Sequence, residues 1–338
     1  MSQTPHAESR ASQAAPVSEP GADARRGVGI AHAKAILFGE HAVVYGAPAI
    51  AIPVDSLTAE AIIEAGPPGL GIASSLYTGP VDGAPARLAP VVTAIKASLE
   101  RAGLAGLAHE TEGGAVVTIT SSIPHERGLG SSAAVAAAIA RAAFDLAGTE
   151  LDSETLFDLI QTSERVAHGK PSGIDARTVA ATGAIRFNRG AVAPIHIGAP
   201  LILAFADTGH PGSTAQAVGS VQALREREPE ATDALLSRLA EIAEHSIADL
   251  ASGDRTAVGA AMSEAHSILH RVGVSSERLD AIVAAACAAG AAGAKLTGGG
   301  LGGCVIAVAD SDAHADEIGA AMRLAGAERT WTVEVPAA

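Results

Sequence analysis

The chain of 338 residues, 48% hydrophobic and 18% charged, is long enough to bury the core of one large domain or two ordinary ones. A formal net charge of −14 argues against nucleic acid or an anionic membrane as partner, so any anion must be held by local groups. With aromatic residues at only 2%, the core has to be assembled from Ala, Val, Ile and Leu. The two cysteines, Cys287 and Cys304, follow neither metal nor redox spacing and fit a reducing cytoplasm.

Residues 1–26 are rich in Ala, Ser, Pro and charge, with no apolar run long enough for a signal peptide or a membrane span, and read as a disordered tail. From Val28 the pattern becomes that of ordered chain. Ala35 to Phe38 and Ala42 to Tyr45 are short apolar runs flanking Gly39-Glu40-His41, which reads as two strands, or a strand and a short turn, presenting Glu40 and His41. Pro67 to Pro90 is a Gly/Pro/Ser-rich loop or irregular hairpin, and Val91 to Ala102 a helix closed by Gly103.

The most informative stretch follows. Val116 to Thr120 alternate as a strand, Ile123 to Arg127 break it, and Gly128-Leu129-Gly130-Ser131-Ser132 open an Ala-rich helix that ends at Gly148. Unpaired N–H groups and the dipole at such a helix start make an anion site, and the glycines let a ligand approach the backbone. Phosphate is the natural guest. The loop also fits G-x-G-x-x-A, but Pro124 to Arg127 separate it from its strand and Leu151 to Val166 reads as a second helix, so the dinucleotide reading fails. No Lys-Ser or Lys-Thr pair follows, which removes a Walker A loop.

Ser153 and Glu154 start the next helix, which ends near His168-Gly169, and Ser172 is the expected N-cap of a further helix running to Ala181. Glu164 in the last turn of one and Asp175 in the first turn of the other thus converge on one bend, the pairing that magnesium and a general base both need. Ile185 to Asn188 and Leu201 to Ala206 read as strands, the second ending in the polar loop Asp207 to Thr214. Ala215 to Arg227 and Asp233 to Ala251 are amphipathic helices. His266 and His270 stand one helical turn apart without a third ligand, a structural pair and not a metal site. Ser275 is the expected cap of the helix reaching Gly290 or Gly293. Lys295 to Cys304 is a glycine loop ahead of the strand Val305 to Ala309, suited to close packing against another loop.

Three stretches, Lys34 to Tyr45, Pro124 to Ala134 and Lys295 to Cys304, together resemble the three motifs of the GHMP kinase superfamily, in the family's order. Gly39-Glu40-His41-Ala42-Val43-Val44-Tyr45-Gly46 and His168-Gly169-Lys170-Pro171-Ser172-Gly173-Ile174-Asp175 are most similar to its mevalonate-phosphorylating branch. The resemblance spans about Val28 to Ala309, and His32-Ala33 replace the family's usual Pro-Gly. It implies a two-lobed α+β fold: an N-terminal nucleotide-binding lobe over 27–195, and a C-terminal ferredoxin-like lobe over 196–338, with a cleft between them. It implies phosphoryl transfer from ATP, with Mg2+, to the 5-hydroxyl of mevalonate, in isoprenoid biosynthesis. Asp175 corresponds to the catalytic base and Lys34 to the lysine beside the reacting hydroxyl. Ser132 and Glu164 correspond to magnesium ligands. Pro124, Arg127, Gly128, Leu129, Gly130, Ser131, Ser132, Ala133 and Ala134 belong to the nucleotide loop, and Glu40, His41 and Thr214 lie near the acceptor. The family also suggests a homodimer, and the alternatives are another small-molecule kinase of the superfamily or a non-catalytic metabolite sensor.

Overall fold

The computed structural model describes residues 26–108 and 114–338; the tail expected over 1–26 falls outside them apart from Arg26. Two sheets organise the chain. The first has seven strands: β1 (Arg26–Phe38), β2 (Ala49–Gly66), β3 (Gly69–Ser74), β4 (Thr78–Pro80), β5 (Gly114–Ser121), β6 (Ile185–Asn188) and β7 (Ala191–Pro194). They lie in the order β4-β3-β5-β2-β6-β7 with β1 also paired to β2, and the β3–β5 pair is parallel while the others are antiparallel. β1 shifts register between His32 and Ala33, so the bulge falls on the dipeptide that departs from the family pattern.

Helices α1 (Ala89–Arg101), α2 (Ser131–Ala147), α3 (Ser153–His168) and α4 (Ile174–Ala180) complete this lobe. Helix α2 is its centre, packed against β1 and β2 on one side and α1 and α3 on the other. A largely apolar helix is one that is largely buried, and nine of its residues from Ala133 to Ala143 are at most 1% exposed. The small-residue composition makes this approach possible: a Cβ on Gly29 would come within 2.0 Å of the Ala138 carbonyl. Gly148, left-handed at φ 67°, ends the helix as the sequence predicts.

The second sheet contains β8 (Leu201–Asp207), β9 (Ala294–Thr297), β10 (Cys304–Ala309) and β11 (Arg329–Val335), all antiparallel, in the order β11-β8-β10-β9. Helices α5 (Thr214–Arg227), α6 (Pro229–Ser252), α7 (Arg255–Arg271) and α8 (Glu277–Ala288) lie between β8 and β9 in sequence, and α9 (Asp312–Leu324) between β10 and β11. With the four helices taken as one crossover, this is the βαββαβ order of a ferredoxin-like lobe. Among the described residues no helix is long and apolar enough to cross a membrane.

Some local expectations need correcting. Of the two readings of the Glu40–His41 stretch, a strand and a short turn holds, Ala42–Tyr45 being a 3-10 turn. Asp152, not Ser153, caps α3, because its carboxylate reaches the N–H groups of both Glu154 and Thr155. At α4 the cap position is taken by Gly173 at φ 91°, since the bend demands a left-handed residue; Ser172 Oγ only accepts a long 3.4 Å bond from the Ile174 N–H. Ser276 rather than Ser275 caps α8. Lys295 to Thr297, read as the start of a loop, form β9, because Ala294 to Thr297 pair with Cys304 to Ala307 across the glycines.

Candidate active site

The site forms where the end of β1, the loop before α2 and the α3–α4 bend meet. Lys34 sits next to the β1 bulge and is 2% exposed. Its Nζ donates to the Gly128 carbonyl at 3.0 Å and lies 2.6 Å from Asp175 Oδ1, while its backbone N–H donates to the Leu129 carbonyl at 3.0 Å. The ammonium is therefore fixed between the glycine loop and the first turn of α4. Asp175 keeps a third of its side chain exposed and opens to solvent.

The glycine loop has the backbone that an anion cradle needs. Gly128 and Gly130 have φ of 76° and 70°, and no side chain caps α2, so the first-turn N–H groups remain free for a ligand. Gly130 is required twice over: its φ is left-handed, and a Cβ there would meet Lys34 Cγ at 2.8 Å. Leu129, Ala133 and Ala134 are buried, so these residues can offer a ligand only their backbone. Arg127 turns away from the cradle, its Nε donating to Asp207 Oδ1 at 2.7 Å and its Nη1 to the His125 carbonyl. It joins the loop to the end of β8.

Behind the cradle, Ser132 Oγ donates to Glu164 Oε1 at 2.6 Å, and the His168 ring stands 3.8 Å from Oε2. Burial raises the Glu164 pKa above the usual carboxylate range, and the Asp175 charge pushes it further. These oxygens suit a hard cation: magnesium takes one or two carboxylates and fills its remaining positions with water and substrate phosphate. Among the described residues no cluster of three or more His, Cys, Asp or Glu is placed to hold a metal alone. The rings of His266 and His270 are both hydrogen-bonded to one carboxylate, Asp280, at 3.1 and 2.9 Å.

Glu40 and His41 are brought to the same end of β1 but are far less open than an exposed turn. The Glu40 carbonyl accepts from the Ala42 N–H at 2.7 Å, and His41 between them has φ 61° and ψ −46°: a γ-turn, a strained conformation for a residue with a side chain. His41 Nε2 is hydrogen-bonded to the Gly299 carbonyl at 2.9 Å, and burial pulls the ring's pKa down to about 4. Thr214, the first residue of α5, reaches the other side of Gly299, where a Cβ would lie 2.9 Å from its Oγ1. Glu40 is 1% exposed and its Oε1 is paired with Lys295 of β9. The third motif therefore packs against the first two. A Cβ on Gly298 would touch the Gly128 Cα at 2.8 Å, and Thr297 Oγ1 exchanges hydrogen bonds with the N–H and carbonyl of Ile36. Sequence reasoning finds neither Lys295 nor Asp207 as partners in this assembly. The available signal for Lys295 was a lone lysine within an otherwise apolar run, Ala294 to Leu296.

Comparison with known proteins agrees with the geometry. The model of the GHMP kinases N terminal domain matches residues 90–183 and that of the GHMP kinases C terminal region matches 246–328. Mevalonate kinase of Thermococcus gammatolerans is 36% identical over 314 residues, covering 88% of this chain and 92% of that protein. The Pyrococcus furiosus mevalonate kinase is 36% identical over 318 residues with the same coverage. The crystal structure of L. major mevalonate kinase in complex with R-mevalonate superposes with a TM-score of 0.81 at 28% identity, covering 95% of this chain and 99% of that one. The chain belongs to the mevalonate kinase family of the GHMP kinases.

Proposed function

We propose that the chain is an ATP-dependent kinase that phosphorylates the 5-hydroxyl of mevalonate, giving 5-phosphomevalonate and ADP. The observation that carries this reading is the Lys34–Asp175 pair, 2.6 Å apart, standing beside an uncapped glycine loop with a buried carboxylate behind it. Phosphoryl transfer asks for a cradled phosphate, a neutralised charge and an in-line hydroxyl, and each has a matching group here. The α2 N-terminus binds the ATP phosphates. Asp175 orients the acceptor hydroxyl and takes its proton, and Lys34 stabilises the negative charge growing on that oxygen and on the transferring group. Ser132 and Glu164 are the residues that would hold Mg2+, which when bound neutralises the phosphate charge. His41 and Thr214, on either side of Gly299, border the acceptor end of the pocket. A lobe boundary near residue 195, the homodimer that the family suggests and a cytoplasmic location, in keeping with two free cysteines, belong to the same reading.

The test is coupled ADP release with mevalonate, phosphomevalonate, homoserine and galactose as acceptors. Turnover on mevalonate above the other three is expected. Turnover on another acceptor alone would move the chain to a different branch of the superfamily, and none on any would favour a non-catalytic sensor.

A further inference from the structure

The groups assigned to the reaction so far lie mostly on the first sheet and its helices, and leave Lys295 without a role. It sits in the second lobe, in the middle of β9, and is fully buried. Its Nζ donates to Glu40 Oε1 and, at 2.7 Å, to the Leu296 carbonyl. Glu40 Oε2 is also buried, yet finds no hydrogen-bond partner among the described residues. A buried carboxylate oxygen is costly to leave without a donor, which marks a place where the protein has reserved an acceptor. This oxygen belongs to the residue that opens the γ-turn at His41, and the His41 ring is in turn held by Gly299, two residues beyond β9. Two of the turn's three residues, Glu40 and His41, are thus gripped by the same hairpin of the other lobe.

We propose that Lys295 is a positioning residue for the acceptor substrate: by holding Glu40 across the lobes it fixes the Glu40–His41 turn, which in its strained form borders the acceptor pocket beside Lys34. The inference rests on the acceptor pocket proposed above. Lys295 does not touch the substrate; it acts through Glu40. A γ-turn is unfavourable on its own, so without the grip from β9 it relaxes and shifts the groups that align the acceptor. The nucleotide cradle also packs on this hairpin but has holds of its own, from Lys34 to the Gly128 carbonyl and from Arg127 to Asp207, and stays in place.

Steady-state kinetics and thermal unfolding of Lys295→Met and of the double variant Glu40→Gln with Lys295→Met test this. Lys295→Met is expected to raise the KM for mevalonate roughly tenfold or more while the KM for ATP stays within about twofold. In the double variant, which leaves no unpaired buried charge, the melting temperature recovers toward wild type but the raised KM for mevalonate persists. A lowered melting temperature with both KM values unchanged would make the pair purely structural and overturn the proposal. Should Lys295→Met fail to fold, the double variant decides alone, and a wild-type KM for mevalonate in it overturns the proposal. Wild-type turnover on mevalonate, measured alongside, separates the two readings: its absence overturns the assigned reaction and the acceptor role with it, whereas its presence with an unmoved KM overturns only the role of Lys295.

Discussion

Glu164 and Asp175 are two acids at one bend, and their surroundings set them apart. Glu164 is 2% exposed, bonded to Ser132 and carries a raised pKa; Asp175 is a third exposed and faces the Lys34 ammonium. In the proposed reaction Glu164 holds magnesium, and it would do so through its charge. Glu164→Gln is therefore expected to lower activity in a way that higher magnesium partly restores. The role proposed for Asp175 is on the hydroxyl during the transfer itself, so Asp175→Asn should lower kcat by about 10²-fold or more at every magnesium concentration, with binding of an ATP analogue retained. Magnesium titrations of turnover in each variant check this. Rescue of Asp175→Asn but not of Glu164→Gln would reverse the roles, and indifference to both would displace the site.

For the elements, the loop and helix α2 behave as one rigid part. The loop's second glycine is wedged against the stem of Lys34, and the helix it opens is buried over most of its length from Ala133 to Phe144. Gly130→Ala must place a side chain at a left-handed φ, at roughly 1–2 kcal/mol, and push against Lys34 Cγ from 2.8 Å. Stability should fall by about that amount, while kcat falls further than stability alone explains, because the displaced group is the ammonium beside Asp175. Denaturant unfolding together with kcat measures both; a stability loss with unchanged kcat would detach Lys34 from the reaction. This element was legible in the sequence because its signals are local: alternation, glycines, an apolar repeat and a terminal glycine. The cap residues were misplaced where short-range chemistry had two candidates a residue apart, as with Asp152 and Ser153 at α3, and β9 was missed because only its pairing with β10 makes it a strand. The pairing of Glu40 with Lys295 was not legible at all, since those residues are 255 positions apart and each looks like an ordinary charged residue among its neighbours.

For the whole molecule, stability should depend on pH through His41. Its pKa is held at about 4 in the fold by burial, against about 6.5 in the unfolded chain. Below pH about 6.5 the unfolded state takes up a proton that the folded state refuses until pH about 4, so stability present at neutral pH is lost as pH falls through that window. The full shift corresponds to roughly 3 kcal/mol. Glu164 pulls in the opposite direction, because its raised pKa makes the folded state bind protons more readily, so the comparison needs a variant that changes His41 alone. His41→Asn suits the positive φ and does not titrate; urea unfolding at pH 7 and pH 4.5 should show a smaller acid loss for it than for wild type. Equal losses would show that acid sensitivity has another source.

The ion pair between the turn after β1 and β9 also has a consequence for synthesis. As the chain leaves the ribosome, the first sheet can close around α2 once the segment through β7 has emerged, but Glu40 then waits about a hundred further residues for the cation that neutralises it. Until then its carboxylate stands in a half-built pocket, accessible to water and free to take a proton. The glycine loop and α2 can thus form during translation, while the proposed acceptor pocket is completed only by the last third of the chain, so a truncated product would keep the loop without the lysine that pairs with Glu40.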